Sequence, residues 1–168
     1  MWKVILFAHD FSDCAARSEA MVRDLARTFC ARVVLCHVSQ VTHGLPPSTL
    51  IRAPGEEGMV KAGDYVLKMA TEMLRTIARR LEADCVAVET AARLDENIAD
   101  GILAAATAHG AEVIVMGTHG RVGLEHFLLG SIAEKVLRRA EVPVITLRSP
   151  GGHANEPGQP VLDDESAG

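Results

Sequence analysis

Apolar residues fall in five short runs that alternate with four longer stretches of helical period. Val4 to Ala8 reads as a strand and ends in His9-Asp10. Ser12 or Asp13 can cap the helix that follows, whose apolar positions Val22, Leu25, Ala26 and Phe29 fall at i, i+3, i+4 and i+7. Arg32 to Val38 is the second strand. Leu67, Ala70, Leu74, Ile77, Ala78 and Leu81 then predict a long helix with Arg75, Arg79 and Arg80 on its outer side. Val86 to Thr90 reads as a third strand, and Asp95 as the cap of a helix carrying Ile98, Ile102, Ala105 and Ala106, closed by Gly110 as a C′ glycine. Glu112 to Met116 is a short, largely apolar run with Val113, Ile114 and Val115 β-branched, as in a strand covered on both faces. Ile132, Val136 and Ala140 mark one face of the last helix. Pro143 opens a final strand, VPVITLR; a missing N–H suits an edge, and an apolar edge needs something to cover it.

Strands alternating with helices predict an α/β fold, one five-stranded parallel sheet with helices on both faces. Ligands bind such a sheet at the carboxyl ends of its strands, where strand order reverses. With the first and fourth strands as central neighbours, Ala8-His9-Asp10 and Met116-Gly117 end side by side at that crevice.

Two stretches break the rhythm. Residues 40–58 hold Pro46, Pro47, Pro54 and three glycines without an apolar period, as a functional lid or mobile loop would. Residues 149–168 have the composition of a disordered tail, after a single domain spanning residues 1–148. The chain carries 22 acids and 17 bases; Glu156, Asp163, Asp164 and Glu165 lie in the tail, which leaves 18 acids against 17 bases in the domain. A near-neutral domain offers no broad basic face for a polyanion, and aromatics at 4% leave few stacking platforms for nucleic acid. Cys14, Cys30, Cys36 and Cys85 show no metal-ligand spacing and read as reduced thiols. No signal peptide or apolar span is recognisable, so a soluble, cytoplasmic protein without membrane insertion is expected.

The segment from Ala111 to Ser131 carries the chemistry. A strand runs into Gly117-x2-Gly120-x9-Gly130-Ser131, and this glycine-punctuated loop opens a helix. Glycines let the backbone approach a phosphate, and the unpaired N–H groups and positive dipole end of a helix stabilise its charge.

On ILFAHDFS, LCHV, VIVMGTHGR and LLGSIAEKVLRRAEVPVITL, residues 1 to about 148 resemble a single-domain universal stress protein. The resemblance implies a Rossmann-like sheet, of the adenine nucleotide alpha hydrolase type, with strand order 3-2-1-4-5. It also implies the branch whose glycine motif binds ATP, alternatively ADP or AMP, with Mg²⁺. Ala8, His9 and Asp10 match the turn lying against the nucleoside, although many relatives have a proline and a threonine or small residue before the aspartate. Val38 matches the residue that packs on adenine. Met116, Gly117, His119, Gly120 and Arg121 match the loop around ribose and phosphates, and Gly130, Ser131 and Ile132 match its end. The family further suggests a homodimer, or a higher oligomer, through the last strand from Val144 to Leu147, acting on an unknown protein partner.

Plainer roles stand beside these. Ser131-Ile132-Ala133-Glu134 has the form of a capping box, which alone accounts for the serine. Gly117 and Gly130 can be turn glycines. Asp10 can be a helix cap rather than a partner of a ribose hydroxyl or a magnesium-bound water. His9 and His119 read as polar contacts or exposed residues, since neither has an identifiable partner carboxylate in sequence. His37 reads as a satisfied core histidine, and Arg52 as solvated rather than a phosphate ligand. There is no P-loop lysine, no dinucleotide fingerprint and no evident base for an attacking water. Regulatory nucleotide binding is therefore better supported than turnover, with hydrolysis slow at most. The alternatives are an interaction module with a vestigial pocket and an adenylate-handling enzyme.

Overall fold

The structure, a computed structural model, describes residues 1–40, 45–118 and 130–147. The tail, His119, Gly120 and Arg121, and part of the 40–58 stretch lie outside the described residues. Along the chain run β1 (Val4–Ala8), α1 (Asp13–Phe29), β2 (Arg32–Gln40), β3 (Leu50–Arg52), β4 (Met59–Lys61), α2 (Ala62–Glu82), β5 (Val88–Asp95), α3 (Ile98–Ala108), β6 (Val113–Gly117), α4 (Ser131–Arg139) and β7 (Val144–Leu147). Five strands form one parallel sheet in the order β5-β2-β1-β6-β7. Counting only these five in chain order, that is 3-2-1-4-5; the numbering differs because β3 and β4 pair separately as an antiparallel hairpin.

The alternation of side chains along each strand builds two cores. Ile5, Phe7, Val33, Leu35, Val113 and Val115 face α1 and α2, meeting Val22 and Ala26 from the first and Leu74, Ile77, Ala78 and Leu81 from the second. Leu6, Val34, Cys36, Val38, Ile114 and Met116 face α3 and α4, meeting Ala99, Ile102, Ala105 and Ala106, then Ala133 and Val136. Burying each large aliphatic or Phe side chain contributes about 1.5–3 kcal/mol. A one-residue slip in any strand would turn its whole apolar set to the wrong helix layer, so register is strongly held.

Several local expectations need correction. Part of the 40–58 stretch is the β3–β4 hairpin's first strand and its turn, whose three-residue strands are too short to show a period. The third sheet strand is Val88–Asp95 rather than Val86–Thr90, because it is defined by pairing with β2 from Val33↔Val88 to Gln40↔Asp95 and not by apolar content. Asn97, not Asp95, caps α3: its side chain accepts the Ala99 N–H at 3.0 Å, while Asp95 accepts the Asn97 N–H. Ser12 caps α1, and Gly110 closes α3 with φ +62°, both as expected. Among the described residues no helix is long and apolar enough to cross a membrane.

Candidate functional site

Three strand ends meet at one pole of the sheet. Ala8 pairs with Cys36 on one side and Met116 on the other. Beyond β6, the Thr118 N–H donates to the Leu147 carbonyl at 2.9 Å, and the Thr118 carbonyl accepts the Gly130 N–H at 2.8 Å. The chain that leaves β6 thus returns to within one hydrogen bond of its departure. That bond sets the first turn of α4 beside the end of β6 and, one strand over, the end of β1.

The N-terminus of α4 is met differently from the other three. At α1 the Ser12 hydroxyl accepts from Ala15, at α3 Asn97 accepts from Ala99, and at α2 the Ala62 and Gly63 N–H groups go to the Thr49 and Pro47 carbonyls. At α4 the N-cap is Gly130, and among the described residues no side chain caps the helix. The anticipated capping box is not formed. Ser131 stands inside the helix as its exposed first residue, and Glu134 lies 3.8 Å from Arg138 instead. First-turn N–H groups of an α-helix carry roughly half a positive charge between them, and here they lie at the crevice end of the sheet without a carboxylate of the described residues in the capping position.

The other matched residues divide by face. Val38 and Met116 belong to the layer under α3 and α4, together with the partly buried Ala8 and Ile132. Gly101 of α3 sits so close over Val38 that an added Cβ would lie 2.6 Å from its Cγ1. Asp10 is half-buried; its Oδ1 accepts from the Ser12 N–H at 3.1 Å and the Ser12 hydroxyl at 2.6 Å, which steadies the cap of α1. Gly117 and Gly130 are half-buried at the two ends of the loop.

His9 is placed differently from its expectation. It is buried, and a carboxylate faces it: Nε2 lies 3.4 Å from Glu19 Oε1. The pair is loose, since Nε2 makes no well-formed hydrogen bond. Nδ1 accepts the Phe11 N–H at 3.0 Å, the His9 N–H donates to the Cys36 carbonyl, and the His9 carbonyl accepts from His37 Nδ1 at 2.7 Å. Phe7 and Phe11 pack against the His9 ring on the α1/α2 side, and His37 packs against Phe11. Glu19 in turn takes two bonds from Arg80 of α2, at 2.7 and 3.1 Å. Burial holds the His9 imidazole below its ordinary value, against the opposite pull of Glu19 and Asp10. His9 therefore shapes the turn that presents Asp10, and its imidazole points away from the Val38 and Met116 face. His37 is satisfied, as expected of it.

Two features lay beyond sequence reasoning. Glu19 meets His9 only because the first turns of α1 fold back over the end of β1. Arg93, in register with Val38, has a buried Nε with no hydrogen-bond partner among the described residues. Its position next to Val38 could be read only from the corrected β5. Among the described residues no cluster of three or more His, Cys, Asp or Glu is arranged to hold a metal ion.

The sequence profile of the universal stress protein family matches residues 1–148. Universal stress protein MJ0531 of Methanocaldococcus jannaschii is 30% identical over 163 residues, covering 89% of this chain and 84% of that one. A universal stress protein of Thermus aquaticus is 31% identical over 148 residues, covering 88% of this chain and all of that one. Among solved structures, hypothetical protein MJ0577 of M. jannaschii superposes with a TM-score of 0.70 at 23% identity, covering 89% and 98% of the two chains. The universal stress protein of Archaeoglobus fulgidus in complex with dAMP superposes with a TM-score of 0.57 at 21% identity, covering 88% and 98%. These structures share the chain's fold, and the family profile spans the whole described part of the chain: it belongs to the universal stress protein family.

Proposed function

We propose that this protein binds an adenine nucleotide, ATP with Mg²⁺ before ADP or AMP, and acts as a nucleotide-dependent regulatory protein in a homodimer. The carrying observation is the α4 N-terminus, capped by a glycine and by no side chain of the described residues, held by the Thr118–Gly130 bond beside the ends of β1 and β6. A phosphate group supplies the negative charge that such a terminus lacks. Val38 and Met116 offer the apolar wall for a base, Asp10 a carboxylate for a ribose hydroxyl or a magnesium-bound water, and Gly117, His119, Gly120, Arg121, Ser131 and Ile132 the turn around ribose and phosphates. Ala8 and His9 shape the floor. A fold relative in complex with dAMP supports the ligand class. The buried Arg93 Nε beside Val38 adds support, because a buried donor left without an acceptor is costly and a polar ligand can supply one.

Binding is favoured over turnover. His9, the one histidine described at the strand ends of β1 and β6, is buried and committed to the turn, so it cannot orient an attacking water. Calorimetry with ATP, ADP and AMP tests the proposal: affinity falls in that order if the α4 terminus holds the outer phosphates. Negligible heats with all three would overturn it.

A further inference from the structure

At the pole opposite the crevice, a concavity of about 860 Å³ is lined by two cysteines, Cys30 and Cys85, both exposed and both reduced. They hold equivalent places in successive units. Each follows a helix that packs on the same face of the sheet, α1 for Cys30 and α2 for Cys85, and each lies three residues before a member of the Val33↔Val88 pair. Adjacent strands run about 4.8 Å apart, so the two turns are neighbours. Both residues have left-handed backbone, φ 51° and 62°, a conformation that favours glycine. The equivalent turn after α3 does use glycine, Gly110 with φ +62°, and that turn leads into β6 on the far side of β1. Cysteine thus replaces glycine only at the two turns that adjoin. Lys3, Arg27 and Arg32 line the same concavity with one carboxylate, Asp84; Asp84 is paired with Arg23 at 3.2 Å and Arg32 with Glu89 at 2.6 Å, which leaves Lys3 and Arg27 to set the charge of the concavity.

We propose that Cys30 and Cys85 form a paired-thiol site that reacts with small anionic disulfides and closes to an intrachain disulfide. The thiolate of one cysteine attacks a sulfur of the small disulfide RSSR; its S–S bond breaks, RS⁻ leaves and takes up the proton the cysteine gave up, and a mixed disulfide remains. The second thiolate attacks the protein sulfur of that mixed disulfide, forming the Cys30–Cys85 bond and releasing the second RS⁻, protonated in the same way. Two protein thiols are oxidised by two electrons and one RSSR is reduced to two RSH. Lys3 and Arg27 attract a carboxylate-bearing RSSR to the concavity. Cys14 and Cys36 serve as internal references: both are buried, and burial pushes the Cys36 thiol up to about 12.

The full chain is incubated with oxidised glutathione, and thiols are counted beside the intact mass. The expected result is loss of two of the four thiols, a mass lower by two hydrogen atoms, and a proteolytic fragment joining Cys30 to Cys85. Cys30→Ser and Cys85→Ser each stop at one stable glutathione adduct. Reaction with cationic cystamine is slower, and added salt narrows the difference. Four retained thiols, cross-linked dimers, or a bond involving Cys14 or Cys36 would overturn the proposal. Equal rates with both disulfides would overturn its anionic specificity.

Discussion

At the scale of single residues, the turn after β1 depends on the charge of one imidazole. His9 accepts the Phe11 N–H through Nδ1, which only an unprotonated nitrogen can do, and its pKa lies below the ordinary 6.5 because it is buried. The unfolded chain therefore binds a proton more readily than the folded one as pH falls below about 6.5, and stability rises with pH across that window. Stability from this group is fully present above pH 6.5 and is lost as the pH falls through the folded value. Glu19 and Asp10 face the ring and moderate the shift without reversing it, while His37 adds to it. His9→Asn retains an acceptor for the Phe11 N–H and removes the titration. Urea unfolding of the two proteins between pH 5 and pH 8 should show a flatter profile for the variant; parallel profiles would mean that His9 does not titrate in this way. Nothing in the sequence around His9 announces this. Its carboxylate partner lies ten positions on, and about two helical turns of α1 must form before Glu19 reaches it.

At the scale of elements, close approach of α3 to β2 sets the shape of the apolar wall. An alanine at Gly101 would gain about 1 kcal/mol in helix propensity. Its Cβ would also meet Val38 Cγ1 at 2.6 Å and Asp95 Cβ at 3.1 Å, and a stiff β-branched neighbour makes overpacking worth about 1–3 kcal/mol against folding. The clash wins, so Gly101→Ala should lower the thermal midpoint and weaken nucleotide binding together; an unchanged midpoint would show that α3 can shift freely. Elements of this kind were legible where period and caps agreed, as in α1 with Ser12 and α3 with Gly110. They are ambiguous where two signals compete. Asp95 and Asn97 are both good caps two positions apart, and only the last hydrogen bonds of β5 decide between them. Ser131 and Glu134 have capping-box spacing, yet the helix begins one residue early because the Gly130 N–H is taken by Thr118. The β3–β4 hairpin leaves no mark in the sequence because three residues per strand carry no period.

At the scale of the whole molecule, the sheet of the described residues ends in β7, paired on one side by β6. The carbonyls of Pro143 and Leu147 serve β6, so by strand alternation the N–H groups of Val144 and Thr146 point to the open edge. If a second copy covers that edge, Thr146→Pro removes an outward donor while sparing the β6 ladder, and sedimentation should shift from dimer to monomer with the fold retained. A wild-type monomer would refute pairing through β7. The proposed ligand site stands or falls on a different terminus. Gly130 has φ −57°, which an L-residue adopts without strain, so Gly130→Asp would place a carboxylate at the N-cap of α4 where a phosphate is proposed to sit. An N-cap aspartate stabilises a helix by about 1 kcal/mol, and the same charge repels the triphosphate. Calorimetric titration of ATP into the wild type and Gly130→Asp, with thermal melts of both without nucleotide, measures the two effects together. Binding by the wild type, at least about tenfold weaker binding by the variant, and a higher melting midpoint for the variant is the predicted result; equal ATP affinity in the two proteins would contradict it.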